Sequence, residues 1–273
     1  YEFVQRALIA TPVLGVSVAP IGAFMVLRRL SLAGEALAHG IIPGIAIAFL
    51  LSGGLSVWAM LVGGTLAGLA VALSATILAR WSVIREDAGL ASLYLIALAV
   101  GVFILSLGGS GVPLRSFLFG SILGLSDGTL ILIAAVNMLT LVSLALIIRP
   151  LMISTLDPVF FESQSNKAWL LQVWFMLLVV LNLIASFRAL GTLMAVGLMI
   201  LPATAARYWV TSMTSYSLLS IGFAVLSCWI GIAVSLALPD IPTGPSIILI
   251  AGGFFTLSLV LGRNGLRQAR ANP

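Results

Sequence analysis

The chain is 273 residues long, 61% hydrophobic and only 8% charged, with 13 Lys and Arg against 8 Asp and Glu. A soluble domain carries about 25% charged residues, so this chain cannot cover a water-exposed surface, and the large soluble enzyme classes are excluded. Its net charge of +5 does not point to nucleic acid, because the basic residues sit mostly between apolar runs, where they report membrane topology.

A spanning helix needs about 20 apolar residues. Breaks in hydrophobicity place segments near 3–27, 32–52, 55–79, 88–108, 127–148, 168–187, 189–210, 214–238 and 244–262. These predict an all-α polytopic membrane bundle of eight or nine transmembrane helices, forming a single transmembrane domain over 1–273 without a separate soluble domain. Tyr1 to Arg6 lack the features of a cleavable signal, so the first run is expected to stay in the membrane. Gly108, Gly109, Gly111 and Pro113 interrupt the pattern before Ser126, where a loop with a half-helix is expected.

The first loop region opens the most informative stretch, Arg28-Arg29-Leu30-Ser31-Leu32-Ala33-Gly34-Glu35-Ala36-Leu37-Ala38-His39-Gly40-Ile41-Ile42-Pro43-Gly44. Glu35 and His39 are four residues apart, so on a helix they share one face with Cβ atoms about 5–6 Å apart. At about 1.5 Å per residue, His39 lies roughly 15 Å beyond Arg29, near the middle of a ~30 Å hydrocarbon core. Ionisable groups at that depth are costly and face a cavity, a partner or an ion. A carboxylate with an imidazole is a ligand pair for zinc, manganese or ferrous iron, and a site of transit wants few ligands. Pro43 has no amide hydrogen for the carbonyl of His39, which leaves that oxygen free beside the imidazole. Two other readings of the pair are a hydrogen-bonded Glu–His pin between helices and a proton relay through Glu35.

Further along, Gly40 to Gly44, Gly64 to Gly68 and Gly120 to Gly124 have the spacing that lets helix backbones approach closely. Asn137 and Asn182 read as hydrogen-bonding residues between helices. The single Cys228 excludes an intrachain disulfide and any cysteine cluster. Met194 and Met199, near Pro202, could ligate soft ions but read first as filler. Nine alternating spans put Arg28, Arg29, Arg80, Arg85, Arg149, Lys167, Arg207, Arg263, Arg267 and Arg270 on one side, against Arg6, Arg115 and Arg188. That bias assigns the larger set to the cytoplasm. Residues 186–191, which include Arg188, are too few for an ordinary loop, and a hairpin dipping into the protein is expected there.

The longest cytoplasmic connection on this topology lies near 150–167 and contains Asp157-Pro158-Val159-Phe160-Phe161-Glu162. Asp157 suits the cap of a short helix and Pro158 its first position. Phe160 and Phe161 on such a helix mark either a docking surface for a partner or rings folded back on the membrane. A phosphate-binding loop needs a lysine after glycine, whereas the only lysine, Lys167, follows Asn166. No ATP hydrolysis by this chain is expected.

The stretch from Arg28 through Gly44 resembles the R-R-x-S-x-x-G-[DE]-x-[LI]-[SA]-H-x-x-x-P-G signature of the membrane permeases of zinc and manganese ABC importers. Arg85-Glu86-Asp87-Ala88, Leu118-Phe119-Gly120-Ser121, Asp157-Pro158, Leu201-Pro202-Ala203-Thr204-Ala205-Ala206-Arg207 and Asp240-Ile241-Pro242-Thr243-Gly244-Pro245 match further motifs in the family's order. The resemblance implies a type II importer-like permease, multi-pass in the bacterial inner membrane. It also implies a homodimer with two cytoplasmic ATP-binding subunits and an extracytoplasmic metal-binding solute-binding protein. No permanently bound cofactor is implied; zinc or manganese would touch Glu35 and His39 transiently at the twofold axis. The segment Asp157, Pro158, Phe160, Phe161 and Glu162 would face the ATPase. The acidic position is more often Asp in the family, so Glu35 reaches one methylene further. An ion-coupled secondary transporter and a permease for metal chelates are the alternative readings.

Overall fold

The structure is a computed structural model and describes residues 2–52, 56–81, 86–107, 127–164, 168–238, 241–263 and 265. In lipid every backbone polar group must be satisfied within its own segment. Accordingly, the described residues form eleven helices and no strand. They are α1 (Glu2–Leu27), α2 (Ser31–Gly40), α3 (Ile42–Ser52), α4 (Val57–Trp81), α5 (Glu86–Leu107), α6 (Asp127–Leu156), α7 (Pro158–Gln164), α8 (Ala168–Leu190), α9 (Thr192–Arg207), α10 (Met213–Ala237) and α11 (Thr243–Leu261). Among the described residues, seven stretches are long and apolar enough to cross a membrane: α1, α2 and α3 taken together, α4, α6, α8, α10 and α11. The segments read near 88–108 and 189–210 fall on α5 and α9, whose apolar runs, Ala88–Ile104 and Met194–Arg207, are shorter. The half-helix expected between Gly108 and Ser126 lies outside the described residues, as do Gly120 and Gly124.

Local chemistry sets the breaks. α1 stops where Arg29 takes a left-handed conformation, φ 60°, with its N–H donating to Val26 O at 3.2 Å. Helix α2 therefore starts afresh at Ser31 rather than continuing from Arg29. α2 and α3 separate at Ile41, two residues before Pro43, which has no N–H for the His39 carbonyl; the Ile41 N–H donates to Leu37 O at 3.1 Å and Ile45 N–H to Ile41 O at 3.2 Å. The tight connection expected to dip into the protein at 186–191 is buried at Ser186, Phe187, Leu190 and Gly191, and most of it is helical. α8 runs on to Leu190, Gly191 N–H donates to Phe187 O at 3.0 Å, and a single residue, Gly191 with φ 86° and ψ 166°, separates α8 from α9. That conformation is open essentially to glycine alone.

The helices fall into two compact units. One contains α1, α6 as far as Asn137, the end of α8 from Ser186, and α9 to α11. Within it α1 packs on α9 and α10, and α11 packs on both. The methionines are buried filler here: Met199 lies against Gly22 and Met194 against Gly244. Asn137 Nδ2 donates to Val13 O at 2.8 Å, Trp209 Nε1 to Ser258 Oγ at 2.9 Å, and the buried Cys228 thiol to Thr11 O at 3.5 Å. Arg6 pairs with Asp127 at 2.7 Å.

The other unit contains α2 to α5, α6 from Met138, α7, and α8 to Ala185. Here glycines converge on the break between α2 and α3. A methyl group at Gly44 would overlap the Gly63 carbonyl oxygen, and one at Gly63 would overlap that of Gly44. Gly64 and Gly68 of α4 face Ile41 and the α8 residues Ile184 and Val180, while Gly101 of α5 faces Ile42 and the nitrogen of Pro43. Small residues allow such close backbone approach in lipid, where apolar side chains gain little by leaving it. Buried Asn182 Nδ2 donates to Thr140 Oγ1 at 2.7 Å and Leu178 O at 2.8 Å. Gly44→Ala is expected to cost about 1–3 kcal/mol through overpacking and to lower the unfolding temperature in detergent. Gly128→Ala, where an added methyl meets nothing within 4 Å, leaves that temperature unchanged or raises it.

Candidate functional site

Helix α2 buries Ala33, Gly34, Ala36, Leu37, Ala38 and Gly40 and leaves a narrow open stripe. Glu35 is exposed on that stripe and His39, one turn further, is partly buried. The pair thus shares one face of a helix in an apolar span, as the spacing predicts. Measured from Ser31, where α2 begins, His39 lies about 12 Å along a span of roughly 33 Å at 1.5 Å per residue.

Among the described residues, Glu35 and His39 are not hydrogen-bonded to each other, so the structure does not use them as a Glu–His pin. Nδ1 of His39 is buried and, among the described residues, has no hydrogen-bond partner. The imidazole instead lies against Tyr94 of α5, ring centroids 5.9 Å apart and planes inclined by 30°. Among the described residues no group of three or more His, Cys, Asp and Glu side chains could hold a metal. Two donors are short of the four that a closed zinc site takes. Chemically, the arrangement offers one carboxylate and one imidazole to an ion, and the rest of the coordination has to come from water or from another source. The apolar groove of about 680 Å³ between α3 and α4, lined by Pro43, Ile47, Leu51, Val62 and Leu66, has no ionisable lining residue and includes neither Glu35 nor His39.

The second candidate lies at α7. Asp157 Oδ1 accepts from Phe160 N–H at 2.9 Å and its carbonyl from Phe161 N–H at 3.1 Å, and the helix begins at Pro158. A carboxylate at this cap satisfies an otherwise orphaned donor. The two phenylalanines differ: Phe160 is 52% exposed, whereas Phe161 is partly buried. Leu156 and Val159, 82% and 78% exposed, extend the apolar surface of Phe160. Sequence reasoning singled out the aromatic pair and passed over these aliphatics, although their place on either side of the capping aspartate was the available signal. The side chain of Glu162 lies outside the described residues.

The sequence matches the ABC 3 transport family over residues 1–262. It is 29% identical over 261 residues to a "Manganese import system permease protein ScaB" of Streptococcus parasanguinis, covering 96% of this chain and 91% of the relative. It is 30% identical over 263 residues to a "Zinc transport system membrane protein TroC" of Treponema pallidum, covering 94% and 88%. Among solved structures, one described as "PsaBC from Streptococcus pneumoniae in complex with Fab" superimposes with a TM-score of 0.88 at 26% identity, over 100% of this chain and 96% of that one. Another, "An inward-facing conformation of a putative metal-chelate type ABC transporter", gives 0.72 at 15% identity over 93% and 84%, a likeness of fold.

The cap at α7 makes a local prediction. Asp157→Ala removes an acceptor worth about 1 kcal/mol, so amide exchange at Phe160 should speed up several-fold. Asp157→Asn, an equally good cap, should leave it unchanged.

Proposed function

The chain belongs to the ABC 3 transport family, and from that premise we propose that it is the membrane permease of an ATP-driven importer of manganese or zinc ions in the bacterial plasma membrane. The observation that carries this reading is the exposed Glu35, without an ion-pair partner among the described residues, and the partly buried His39 on one open stripe of an apolar membrane helix. Such groups are retained in a span because something charged meets them. Carboxylate and imidazole suit manganese and zinc alike, and the relatives named for each metal match this chain about equally well.

One protomer supplies two donors, too few to strip most of the water from a dication. A second copy related by a twofold axis would bring a matching Glu35 and His39, completing a four-donor site that is symmetric and closed by assembly. The exposure of Glu35 on an isolated protomer is what such an arrangement requires. Eight or nine spans, with α5 and α9 among them, complete the permease in this reading. A solute-binding protein outside would deliver the ion, and ATP-binding subunits inside would drive alternating access, since this chain has no phosphate-binding lysine motif.

The apolar surface of Leu156, Val159 and Phe160 is the docking element for those subunits. Exposed aromatic and aliphatic side chains next to a firm cap favour a groove on a partner. Motion of α7 would then be passed to the permease through α6 and α8, which flank it in the chain.

Two experiments test this. In proteoliposomes containing the whole complex, Glu35→Ala with His39→Ala should abolish uptake of manganese and zinc while basal ATP hydrolysis persists; unchanged uptake would exclude the pair from the ion path. Phe160→Ser should weaken association with the ATPase subunits by roughly 1–2 kcal/mol or more, as loss of a buried aromatic anchor does, read by titrating the labelled subunit. Equal affinity would mean that α7 is not the docking element.

A further inference from the structure

A histidine that holds a metal is usually oriented through its second ring nitrogen, which donates to a carboxylate, a carbonyl or water. His39 lacks that device: its Nδ1 is buried and, among the described residues, without a hydrogen-bond partner. The ring nonetheless has to be held, because an imidazole free to rotate presents its nitrogen to an ion only some of the time.

The contact that can hold it comes from α5. Tyr94 lies against the imidazole at 5.9 Å between centroids, in a stacked arrangement inclined by 30°, within the range of favourable offset ring pairs. The contact is anchored on both sides. Gly101, two turns after Tyr94 on α5, lies against Ile42 and the Pro43 nitrogen, with Ile42 Cγ2 at 2.9 Å and Pro43 N at 3.0 Å from where its Cβ would be. One face of α5 therefore follows α2 across its break into α3, with Tyr94 at the histidine and Gly101 at the proline. The close approach at Gly101 holds α5 against the break between α2 and α3.

We infer that Tyr94 is a positioning residue for metal passage, its ring fixing the His39 imidazole by stacking in place of the usual hydrogen bond. The inference rests on the reading of Glu35 and His39 as the ion-contacting pair. It also suits a histidine with no hydrogen-bond partner on Nδ1 among the described residues. A carboxylate on Nδ1 would make the imidazole a stronger base and a tighter ligand, which suits a resident metal and hinders release of a passing one. Stacking orients the ring without adding charge, so geometry is kept and the hold on the ion stays light. The phenol hydroxyl is not needed for this role; the flat ring is.

The test uses the purified complex with its ATPase subunits and Mn2+ as the probe, bound ion being read from loss of the free Mn2+ electron paramagnetic resonance signal. Tyr94→Leu should weaken Mn2+ binding about tenfold, the size of effect seen when support around a ligand is lost, while Tyr94→Phe stays within about twofold of the parent. In a His39→Ala background Tyr94→Leu should add nothing, because its effect runs through the imidazole. Should Tyr94→Leu not assemble, Tyr94→Met, flexible and unable to stack, makes the same comparison. Unchanged binding in Tyr94→Leu, or a further loss on top of His39→Ala, would overturn the positioning role while leaving the site intact. Parent-like binding in His39→Ala alone would overturn the site itself, and the role of Tyr94 with it.

Discussion

A carboxylate in a membrane helix has to be answered by something. Glu35 is exposed on a helix whose other faces are packed with alanine, glycine and leucine, and no neighbour within the described chain neutralises it. A charged side chain in hydrocarbon costs several kcal/mol, and the proposed twofold site is one way in which that cost would be met. The proposed dimeric, ion-conducting reading starts from that requirement.

The break between α2 and α3 is where this requirement meets the backbone. Pro43 removes a donor, and Gly63 and Gly101 let the neighbouring helices close in on Ile42 to Gly44 until backbone meets backbone. Packing of this kind is stiff, since interfaces of bare backbone have few rotamers through which to relax. The Glu35 and His39 pair therefore stands on a fixed base at its C-terminal end, while α2 starts at Ser31 with no side-chain cap. Any motion that opens or closes a pathway at Glu35 and His39 is more readily absorbed on the Ser31 side, next to the left-handed Arg29, than at the glycine-packed break.

Much of this was legible in the sequence. Hydrophobicity located the apolar segments, because a bilayer imposes their length, and the i, i+4 spacing of Glu35 and His39 put both on one face, because helical geometry admits no other result. Asp157 and Pro158 announced a capped helix by local chemistry alone. What stayed hidden depended on contacts between segments far apart in sequence. Nothing near His39 indicates that Tyr94 will meet it, and Gly101 resembles any other helix-packing glycine until its neighbour proves to be Pro43. The continuation of α8 through Arg188 to Leu190 was missed for a different reason: a short polar interruption suggests a loop, but a single glycine, Gly191, is enough to end one helix and start the next.

The central claim, that a metal ion in passage meets the imidazole of His39, has a direct spectroscopic test because His39 is the only histidine in the chain. Pulsed electron paramagnetic resonance on Mn2+ bound to the assembled complex detects nitrogen nuclei coordinated to the ion, and 15N-histidine can be incorporated into this chain alone before assembly. The account predicts an imidazole nitrogen coupling that changes from the 14N to the 15N pattern on labelling. Bound Mn2+ whose spectrum carries no histidine nitrogen coupling, or one that labelling leaves unaltered, would contradict it.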